Sequence, residues 1–262
     1  MMFFDLRKRE RIPLYSFIKI ATISFFMFCS GIIFAEPLRI AVASNFTSPM
    51  QKLAPLFEKE TGQKIQLSFG SSGKFYAQIQ HGAPFDVFLS ADQAKPNKLI
   101  QMGLALKESQ TVYAKGTLAL WSAKLKSVEP ITNVLKNARK IAIANPKLAP
   151  YGKAAEETLK KLNLWSPLKN KLVQGENIGQ TYQFVYTKNA DVGFVALSQV
   201  LSGDIKGSFW TVPSSFHADI KQSAVVIKKS KQKKMATAFL AFLMRPDIQK
   251  KIASFGYQTS IK

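Results

Sequence analysis

The chain has 262 residues, 47% hydrophobic and 20% charged, which is enough to bury the core of one large or two small domains. It has a net charge of +21, one cysteine and two histidines. This composition gives little support to disulfides, a cysteine nucleophile, a histidine-rich metal site or a Ser-His-Asp triad. The lysines are spread along the chain and form no single stripe, which argues against nucleic acid as a partner.

The first 35 residues are typical of a secretory signal peptide. Four basic residues between positions 7 and 11 precede a 15-residue apolar run from Ile20 to Phe34, followed by Ala35. The run is shorter than the roughly 20 residues that cross a bilayer as a helix, so an uncleaved anchor is the weaker alternative. We expect export to the periplasm and cleavage near Ala35, with a mature chain that begins near Glu36. Cleavage would remove Cys29 and, with five basic and two acidic leader residues gone, would lower the net charge to +18.

Beyond the leader, short apolar runs alternate with helical patterns, which predicts an α/β fold. Strands are predicted at 38–43, 65–69, 86–90, 118–121, 140–144, 191–196 and 223–228. Helices are predicted at 49–61, from the 70–73 turn to about residue 80, at 152–162 and 179–187, and as a C-terminal pair. No Gly/Ser-rich or Pro-rich linker separates two halves of the chain. Two lobes would therefore be interleaved, with the chain passing between them more than once.

The ends of several helices carry recognisable signals. Ser48 is predicted to cap the helix at 49–61, Gly62 to end it, and Pro55 to bend it or weaken one turn. Near the C terminus, Pro246 opens the last helix, which is predicted to end at Gly256. The lysine-rich segment 228–234 between a strand and a helix is interpreted as a solvated loop.

Four junctions between a strand and a helix are built from small polar residues, at 43–47, 70–73, 150–152 and 177–179. The first N–H groups of a helix lack partners within it, and together with the helix dipole they attract an anion. The hydroxyls of Ser44 and Ser72 could add further donors. The alternative is that each Ser or Asn only caps its own helix.

The usual catalytic and nucleotide-binding motifs are missing from the sequence. The segment Gly70-Ser71-Ser72-Gly73-Lys74 fails as a phosphate loop, because that pattern needs glycine in place of Ser68 and Ser or Thr in place of Phe75. No G-x-G-x-x-G after a strand, H-E-x-x-H or G-x-S-x-G is present.

Other chemically interesting side chains have simpler interpretations. Asp86 and Asp92, which flank Ser90, are interpreted as capping and turn residues. Four aromatic residues scattered among apolar runs are interpreted as packing residues and not as a base-stacking platform. These are Tyr113, Trp121, Trp165 and Trp210.

Four segments, taken in order, resemble the periplasmic molybdate-binding protein family, and the similarity covers essentially the whole mature chain. The most specific is Gly82-Ala83-Pro84-Phe85-Asp86-Val87-Phe88-Leu89-Ser90-Ala91-Asp92. The others are Ala41-Val42-Ala43-Ser44-Asn45-Phe46, Phe69-Gly70-Ser71-Ser72-Gly73 and Gly193-Phe194-Val195-Ala196-Leu197-Ser198-Gln199, and the closing Phe255-Gly256-Tyr257 also fits.

The resemblance implies a type II periplasmic-binding fold, in which two α/β lobes close over a ligand cleft. The first lobe would comprise 36–114 and 220–262, and the second 115–219. It also implies that a monomer without a cofactor or free metal cation captures molybdate, with tungstate as a second ligand, and delivers it to an ABC permease of the inner membrane. It would be a receptor and not an enzyme.

The resemblance also implies which residues hold the oxyanion. Ser44 and Ser72 match donors of the first lobe, and Tyr151 and Ile178 match backbone N–H donors of the second. Some relatives have a tyrosine hydroxyl where this chain has Ala196, so the region of Ala196 and Ser198 is the candidate for a substitute donor.

Three alternatives remain open from the residues. A sulfate- or phosphate-type receptor would use the same helix-start donors, because cavity size is invisible in sequence. An exported hydrolase acting on phosphate or acyl esters lacks an evident nucleophile and base. A basic protein that binds nucleic acid or an anionic surface would need its charge on one face.

Overall fold

The structure is a computed structural model that describes residues 36–205 and 207–259. The predicted signal peptide, its cleavage site and Cys29 lie outside these residues. Two five-stranded mixed sheets organise the described chain. Within 36–205 and 207–259, no helix has the length and apolar character needed to cross a membrane.

The first sheet has the strand order β2-β1-β3-β10-β4, in which β10 runs antiparallel to both of its neighbours. Its strands are β1 (Leu38–Ala43), β2 (Ile65–Gly70), β3 (Val87–Ser90), β4 (Thr111–Gly116) and β10 (Ile220–Val226). The side chains of β3 are all buried, because helices cover both faces of the sheet, as is usual for parallel strands.

The second sheet repeats this pattern in the order β7-β6-β8-β5-β9, with β5 antiparallel to β8 and β9. Its strands are β5 (Leu118–Ser122), β6 (Ile141–Ala144), β7 (Leu172–Gly175), β8 (Val192–Ala196) and β9 (Ser208–Thr211). The chain passes between the sheets at Thr117 and again at 212–219.

Ten α-helices in the described residues flank the two sheets. They are α1 (Thr47–Thr61), α2 (Ser72–Gln80), α3 (Ala94–Gln101), α4 (Ile131–Asn137), α5 (Pro150–Lys161), α6 (Trp165–Leu168), α7 (Ile178–Tyr186), α8 (Leu197–Ser202), α9 (Lys233–Leu243) and α10 (Pro246–Ser254). Helices α1–α3, α9 and α10 pack with the first sheet and form with it what we call the first lobe. Helices α4–α8 and the second sheet form the second lobe. The predicted two-lobed α/β architecture is confirmed.

The apolar side chains of the C-terminal helices belong to the core of the first lobe. Phe57 of α1 packs edge-on against Phe239 and Phe242 of α9, with both ring-centroid distances at 5.3 Å. All three rings are buried. The end of the chain is therefore part of the first lobe's core, although it follows the whole second lobe in sequence.

The start of α1 differs from the prediction. The helix begins at Thr47, and its N-cap position is Phe46, which makes no side-chain capping bond. Ser48 is therefore not the cap, because a 3₁₀ turn at Ser44–Phe46 runs directly into the helix. The Thr47 hydroxyl donates to the Ser44 carbonyl at 2.8 Å and ties the two turns together. The other end is as predicted, with Gly62 left-handed at φ 72°.

Helix α1 is continuous through Pro55 to Thr61. Helix α10 ends at Ser254, two residues before the predicted Gly256, which follows it at φ 84°.

The aspartates that flank Ser90 both have structural partners, but only Asp92 caps a helix as predicted, whereas Asp86 joins segments that are distant in sequence. Asp86 is buried, and its carboxylate accepts from the Arg39 N–H at 2.8 Å and the Ser230 hydroxyl at 2.6 Å. Asp92 accepts from the Lys95 N–H at 3.0 Å at the start of α3. The lysines of segment 228–234 are exposed, but Ser230 among them is buried by its bond to Asp86.

Candidate functional site

A small cavity lies where the two lobes meet, and it contains all four residues predicted to bind an oxyanion. About 180 Å³ of its space is free of protein atoms, part of it open to solvent. Its lining consists of Ala43, Ser44, Asn45, Gly70, Ser71, Ser72, Ala91, Ala149, Pro150, Tyr151 and Ile178.

The first lobe contributes two hydroxyls at the carboxyl ends of neighbouring parallel strands. Ser44 follows β1 and Ser72 follows β2. The Ser72 hydroxyl oxygen accepts from the Ala91 N–H at 2.9 Å, and its own proton has no acceptor among the described residues. The Ser44 hydroxyl donates to the Asn177 side chain at 3.1 Å and accepts from the Gly179 N–H at 3.2 Å. Ser44 thus links the two lobes directly.

The second lobe contributes the first turns of two helices. Tyr151 is the second residue of α5 and Ile178 the first residue of α7, where N–H groups have no partner within the helix. Neither N–H has an acceptor in the part of the chain that the structure describes. Of the next two N–H groups of α7, that of Gly179 donates to Ser44, and that of Gln180 donates to the Asn177 side chain at 3.0 Å. These junctions therefore combine ordinary capping with N–H groups left for a ligand.

The lining of the cavity carries no formal charge, since each of its side chains is apolar, hydroxyl or amide. Two contacts join the lobes close by. The Gly73 N–H donates to the Leu148 carbonyl at 2.8 Å, and Lys74 pairs with Glu176 at 2.7 Å with about half of each side chain exposed. The lobes are thus in contact beside the cavity.

The candidate substitute donors, Ala196 and Ser198, do not line the cavity. The Ala196 N–H donates to the Gln199 side chain at 3.0 Å, and the Ser198 hydroxyl lies 3.0 Å from the Asn45 carbonyl oxygen. Asn45 does line the cavity, and it was not among the predicted site residues. The sequence feature that could have identified Asn45 is its position directly after Ser44 in the first junction.

The chain is similar to known proteins over nearly all of its described residues. The family model for bacterial extracellular solute-binding proteins matches residues 38–258. This chain belongs to that family. The molybdate-binding protein ModA of Azotobacter vinelandii is 48% identical over 85% of this chain and 90% of its own length. ModA of Rhodobacter capsulatus is 46% identical over 84% of this chain and 87% of its own.

A solved structure is similar as well. The periplasmic molybdate-binding protein of Azotobacter vinelandii superposes with a TM-score of 0.81 at 39% identity, covering 84% of this chain and 98% of that one. The predicted type II periplasmic-binding fold and the resemblance to molybdate-binding proteins are confirmed. These relatives are named as binding proteins, and the prediction of a receptor instead of an enzyme is likewise confirmed.

The ionisation of the tyrosines near the cavity of this solute-binding protein affects the charge that a ligand would meet there. Burial raises the pKa of Tyr151 well above its usual range, and the nearby Tyr257 and Tyr113 add to the effect. Burial also raises the pKa of Tyr257, to about 12, although its side-chain hydrogen bonds, such as those with Ser198 and Asn45, act to lower that pKa. These phenols are therefore neutral at physiological pH and add no negative charge that would repel an anion.

The described residues contain no group of three or more His, Cys, Asp or Glu side chains placed to hold a metal ion. The histidines, His81 and His217, do not line the cavity. The cavity therefore offers neutral hydrogen-bond donors, which suit an oxyanion better than a free cation.

Proposed function

We propose that this protein is a periplasmic receptor that captures molybdate, and also tungstate, and delivers it to an ABC permease of the inner membrane. The neutral lining of the cavity at the meeting of the lobes is the observation that carries the proposal. The two ModA relatives, which are named for molybdate, support the choice of anion.

A neutral site suits a dianion that must be bound and then released. Helix starts and hydroxyls stabilise the anion through partial charges. A buried lysine would itself have to be desolvated, and it would leave a costly unpaired charge once the ligand departed. Donors that keep their geometry without the anion avoid that cost.

Four donor positions carry the binding in this proposal. The Ser72 hydroxyl is held by the Ala91 N–H so that its proton is available. The N–H groups of Tyr151 and Ile178 approach from the second lobe. Ser44 binds the anion by turning its hydroxyl proton away from Asn177, which keeps its capping bond to the Gln180 N–H.

We further propose that the lobes open and close around the anion as two bodies, one of residues 36–114 and 220–262 and the other of residues 115–219. The two chain crossings at 117 and 212–219 support this division, since short paired connections can act as a hinge. The protein acts as a monomer, and neither a cofactor nor nucleic acid takes part.

The test is calorimetric titration of the chain from residue 36 to 262 with molybdate, tungstate, sulfate and phosphate. We expect one-to-one binding of molybdate and tungstate and no heat from sulfate or phosphate. Binding of sulfate or phosphate alone would shift the assignment to that class of receptor. Absence of binding to molybdate and tungstate would overturn the proposal.

The hydrolase alternative is tested in the same preparation with generic phosphate and acyl esters. The cavity lining has hydroxyls but no imidazole or carboxylate that could act as a base. We therefore expect no turnover above the buffer rate. Turnover that is lost on replacing Ser72 by alanine would favour an enzyme.

A further inference from the structure

A group of neutral polar side chains is buried directly behind the cavity, and we call it the buried polar cluster. Each member is less than 6% exposed. The members are Asn45, Tyr113, Tyr151, Ser198, Gln222 and Tyr257. Because Asn45 and Tyr151 also line the cavity, the cluster touches the proposed anion site from both lobes.

Asn45 makes four hydrogen bonds within the cluster, and one of them runs from the Ser198 hydroxyl to the Asn45 carbonyl oxygen at 3.0 Å. Its side-chain N–H group donates to the Gln222 oxygen at 2.7 Å and to the Tyr257 hydroxyl at 3.0 Å. The Tyr257 hydroxyl in turn donates to the Asn45 carbonyl at 2.7 Å. Tyr113 donates to the same Gln222 oxygen at 3.0 Å, which fixes the direction of the Gln222 amide.

Three buried atoms of the cluster have no hydrogen-bond partner among the described residues. They are the Asn45 side-chain oxygen, the Gln222 side-chain nitrogen and the Tyr151 hydroxyl. The Tyr151 hydroxyl lies close enough to Tyr257 and the Asn45 side chain for both to act on its pKa as hydrogen-bonding neighbours. Neither contact has the distance and angles of a formed hydrogen bond, so the hydroxyl is left without a partner among the described residues. One acceptor, one donor and one hydroxyl that can be either are thus buried together.

Gly116 shows how closely these groups approach. A Cβ atom at Gly116 would lie 2.1 Å from the Tyr151 hydroxyl oxygen and 3.0 Å from the Gln222 nitrogen. The Tyr151 hydroxyl oxygen and the Gln222 side-chain nitrogen therefore both lie next to Gly116, at the end of β4. Tyr151 belongs to a second-lobe helix, whereas Gly116 and Gln222 lie on first-sheet strands, so the Tyr151 side chain reaches across the junction.

We propose that Tyr151 is a positioning residue whose hydroxyl, with the Gln222 nitrogen and the Asn45 side-chain oxygen, binds one buried water molecule that locks the two lobes around the anion. A buried water usually makes about three hydrogen bonds to polar groups that would otherwise be unsatisfied. Here the water accepts a hydrogen bond from the Gln222 side-chain nitrogen and donates one to the Asn45 side-chain oxygen. Its third hydrogen bond is to the Tyr151 hydroxyl, which can act as donor or acceptor. This inference rests on the proposed function, because its consequence is measured on anion binding.

The bridge would couple anion binding to closure. The Tyr151 N–H is a proposed anion donor, while its phenol meets first-lobe groups only when the lobes are together. A lost bridge lowers the closed population, and the apparent affinity falls with it. If instead the hydroxyl is buried without any partner, its burial opposes closure, and removing it tightens binding. The two arrangements therefore predict effects of opposite sign.

The experiment compares Tyr151→Phe with wild type by calorimetry and stopped-flow binding of molybdate. We expect an affinity at least about fivefold weaker, since a broken buried hydrogen bond costs this much or more. The loss should appear in the dissociation rate, with one-to-one stoichiometry and the ligand-free melting temperature unchanged. A merely misfolded variant would lose stoichiometry instead. Equal or tighter binding by Tyr151→Phe would overturn the inference and leave the proposed function standing.

Tyr182→Phe is the matched control. The Tyr182 hydroxyl is also buried without a partner among residues 36–205 and 207–259, and its ring stacks on Trp121 at 4.8 Å within the second lobe. We expect its affinity to stay within about twofold of wild type, because an exchange inside one lobe does not alter closure.

A crystal structure of wild type with molybdate, at a resolution that shows ordered water, tests the bridge itself. A water in contact with all three atoms is expected. A direct bond from the Tyr151 hydroxyl to Tyr257 or Asn45, with no water there, would overturn the inference. If wild type binds no molybdate, the proposed function fails. The water bridge is then tested separately in a ligand-free crystal in which the lobes are together, where a water in contact with the same three atoms is expected.

Discussion

Gly73 is the position where a single methyl group should separate the two lobes. It is the second residue of α2, and its N–H bonds to the Leu148 carbonyl of the second lobe at 2.8 Å. A Cβ atom at Gly73 would lie 2.8 Å from the Leu148 oxygen and 2.9 Å from its Cα. Both atoms belong to the backbone, so no side chain can turn away to make room. The methyl is accommodated only if the lobes move apart.

The size of the effect follows from the cost of overpacking. Inserting a methyl group into a well-packed region costs about 1–3 kcal/mol. If that cost falls on the closed state alone, Gly73→Ala should bind molybdate about 5- to 150-fold more weakly, at roughly 1.4 kcal/mol per tenfold. The ligand-free protein should be as stable as wild type or more stable, because alanine favours helix by up to about 1 kcal/mol over glycine.

Calorimetry and denaturant unfolding together distinguish this outcome from a simple loss of stability. Ala77→Gly is the control, since Ala77 is exposed on the same helix. It should lower the free energy of unfolding by about 1 kcal/mol and leave the affinity unchanged. Wild-type affinity in Gly73→Ala would show that the contact with Leu148 is not part of the anion-bound form.

Three further predictions concern single groups. Ser72→Ala should weaken molybdate binding about 10- to 100-fold by calorimetry, because a donor to a charged group is lost and the Ala91 N–H loses its partner. Asp86→Asn should lower the free energy of unfolding in urea by about 1–3 kcal/mol with unchanged affinity, because one of the bonds to Arg39 and Ser230 is lost. The Tyr257 pKa of about 12 exceeds the unfolded value of about 10, so its stabilising contribution should be complete below pH 10 and should fall by about 3 kcal/mol as pH rises towards 12.

Each of these has a clear contrary result. Ser72→Ala with wild-type affinity would remove that hydroxyl from the anion site. Weaker binding in Asp86→Asn would mean that the strand ends depend on Asp86, in conflict with its position away from the cavity lining. Urea unfolding that is flat between pH 10 and 11.5 would contradict burial of the phenols, and Tyr113 and Tyr151 should steepen the same decline.

The convergence of the four predicted site residues could be foreseen, because it depends on local signals. Each lies at a junction where a strand gives way to a helix, and the carboxyl ends of parallel strands share one edge of a sheet. The paired register of β1 and β2, with Ala43 opposite Gly70, brings Ser44 and Ser72 side by side. Such junctions are visible in sequence as small polar residues between an apolar run and a helical pattern.

The buried polar cluster could not be foreseen in the same way. Asn45 and Tyr257 are 212 positions apart in the chain, and Asn45 and Gln222 are 177 apart. Nothing in the local pattern pairs such distant residues. The actual partner of Ser198 could not be predicted for the same reason, since its hydroxyl bonds to the distant Asn45 carbonyl and does not line the cavity.

Strands at the edges of the second sheet were missed for a different reason. In β7 and β9 the side chains are mostly half-buried or exposed, so neither shows an apolar run or a clean alternation. Their place in the sheet comes from pairing with β6 and β5, which supply the hydrophobic signal. An edge strand that forms by pairing with a more hydrophobic neighbour shows only a weak strand pattern in its own residues.

The contrast between a basic chain and a neutral cavity leads to a final prediction about salt. A net charge of +21 lies on the whole sequence, while the cavity lining has none. Charges at a distance act mainly on the encounter with an anion and are screened beyond about 8–10 Å at physiological salt. The association rate for molybdate should therefore fall between 20 mM and 500 mM salt, by up to about tenfold. The dissociation rate should change little, because it reports the neutral donors. A dissociation rate that rises steeply with salt would mean that a lysine contacts the bound anion, and the proposed set of donors would then be incomplete.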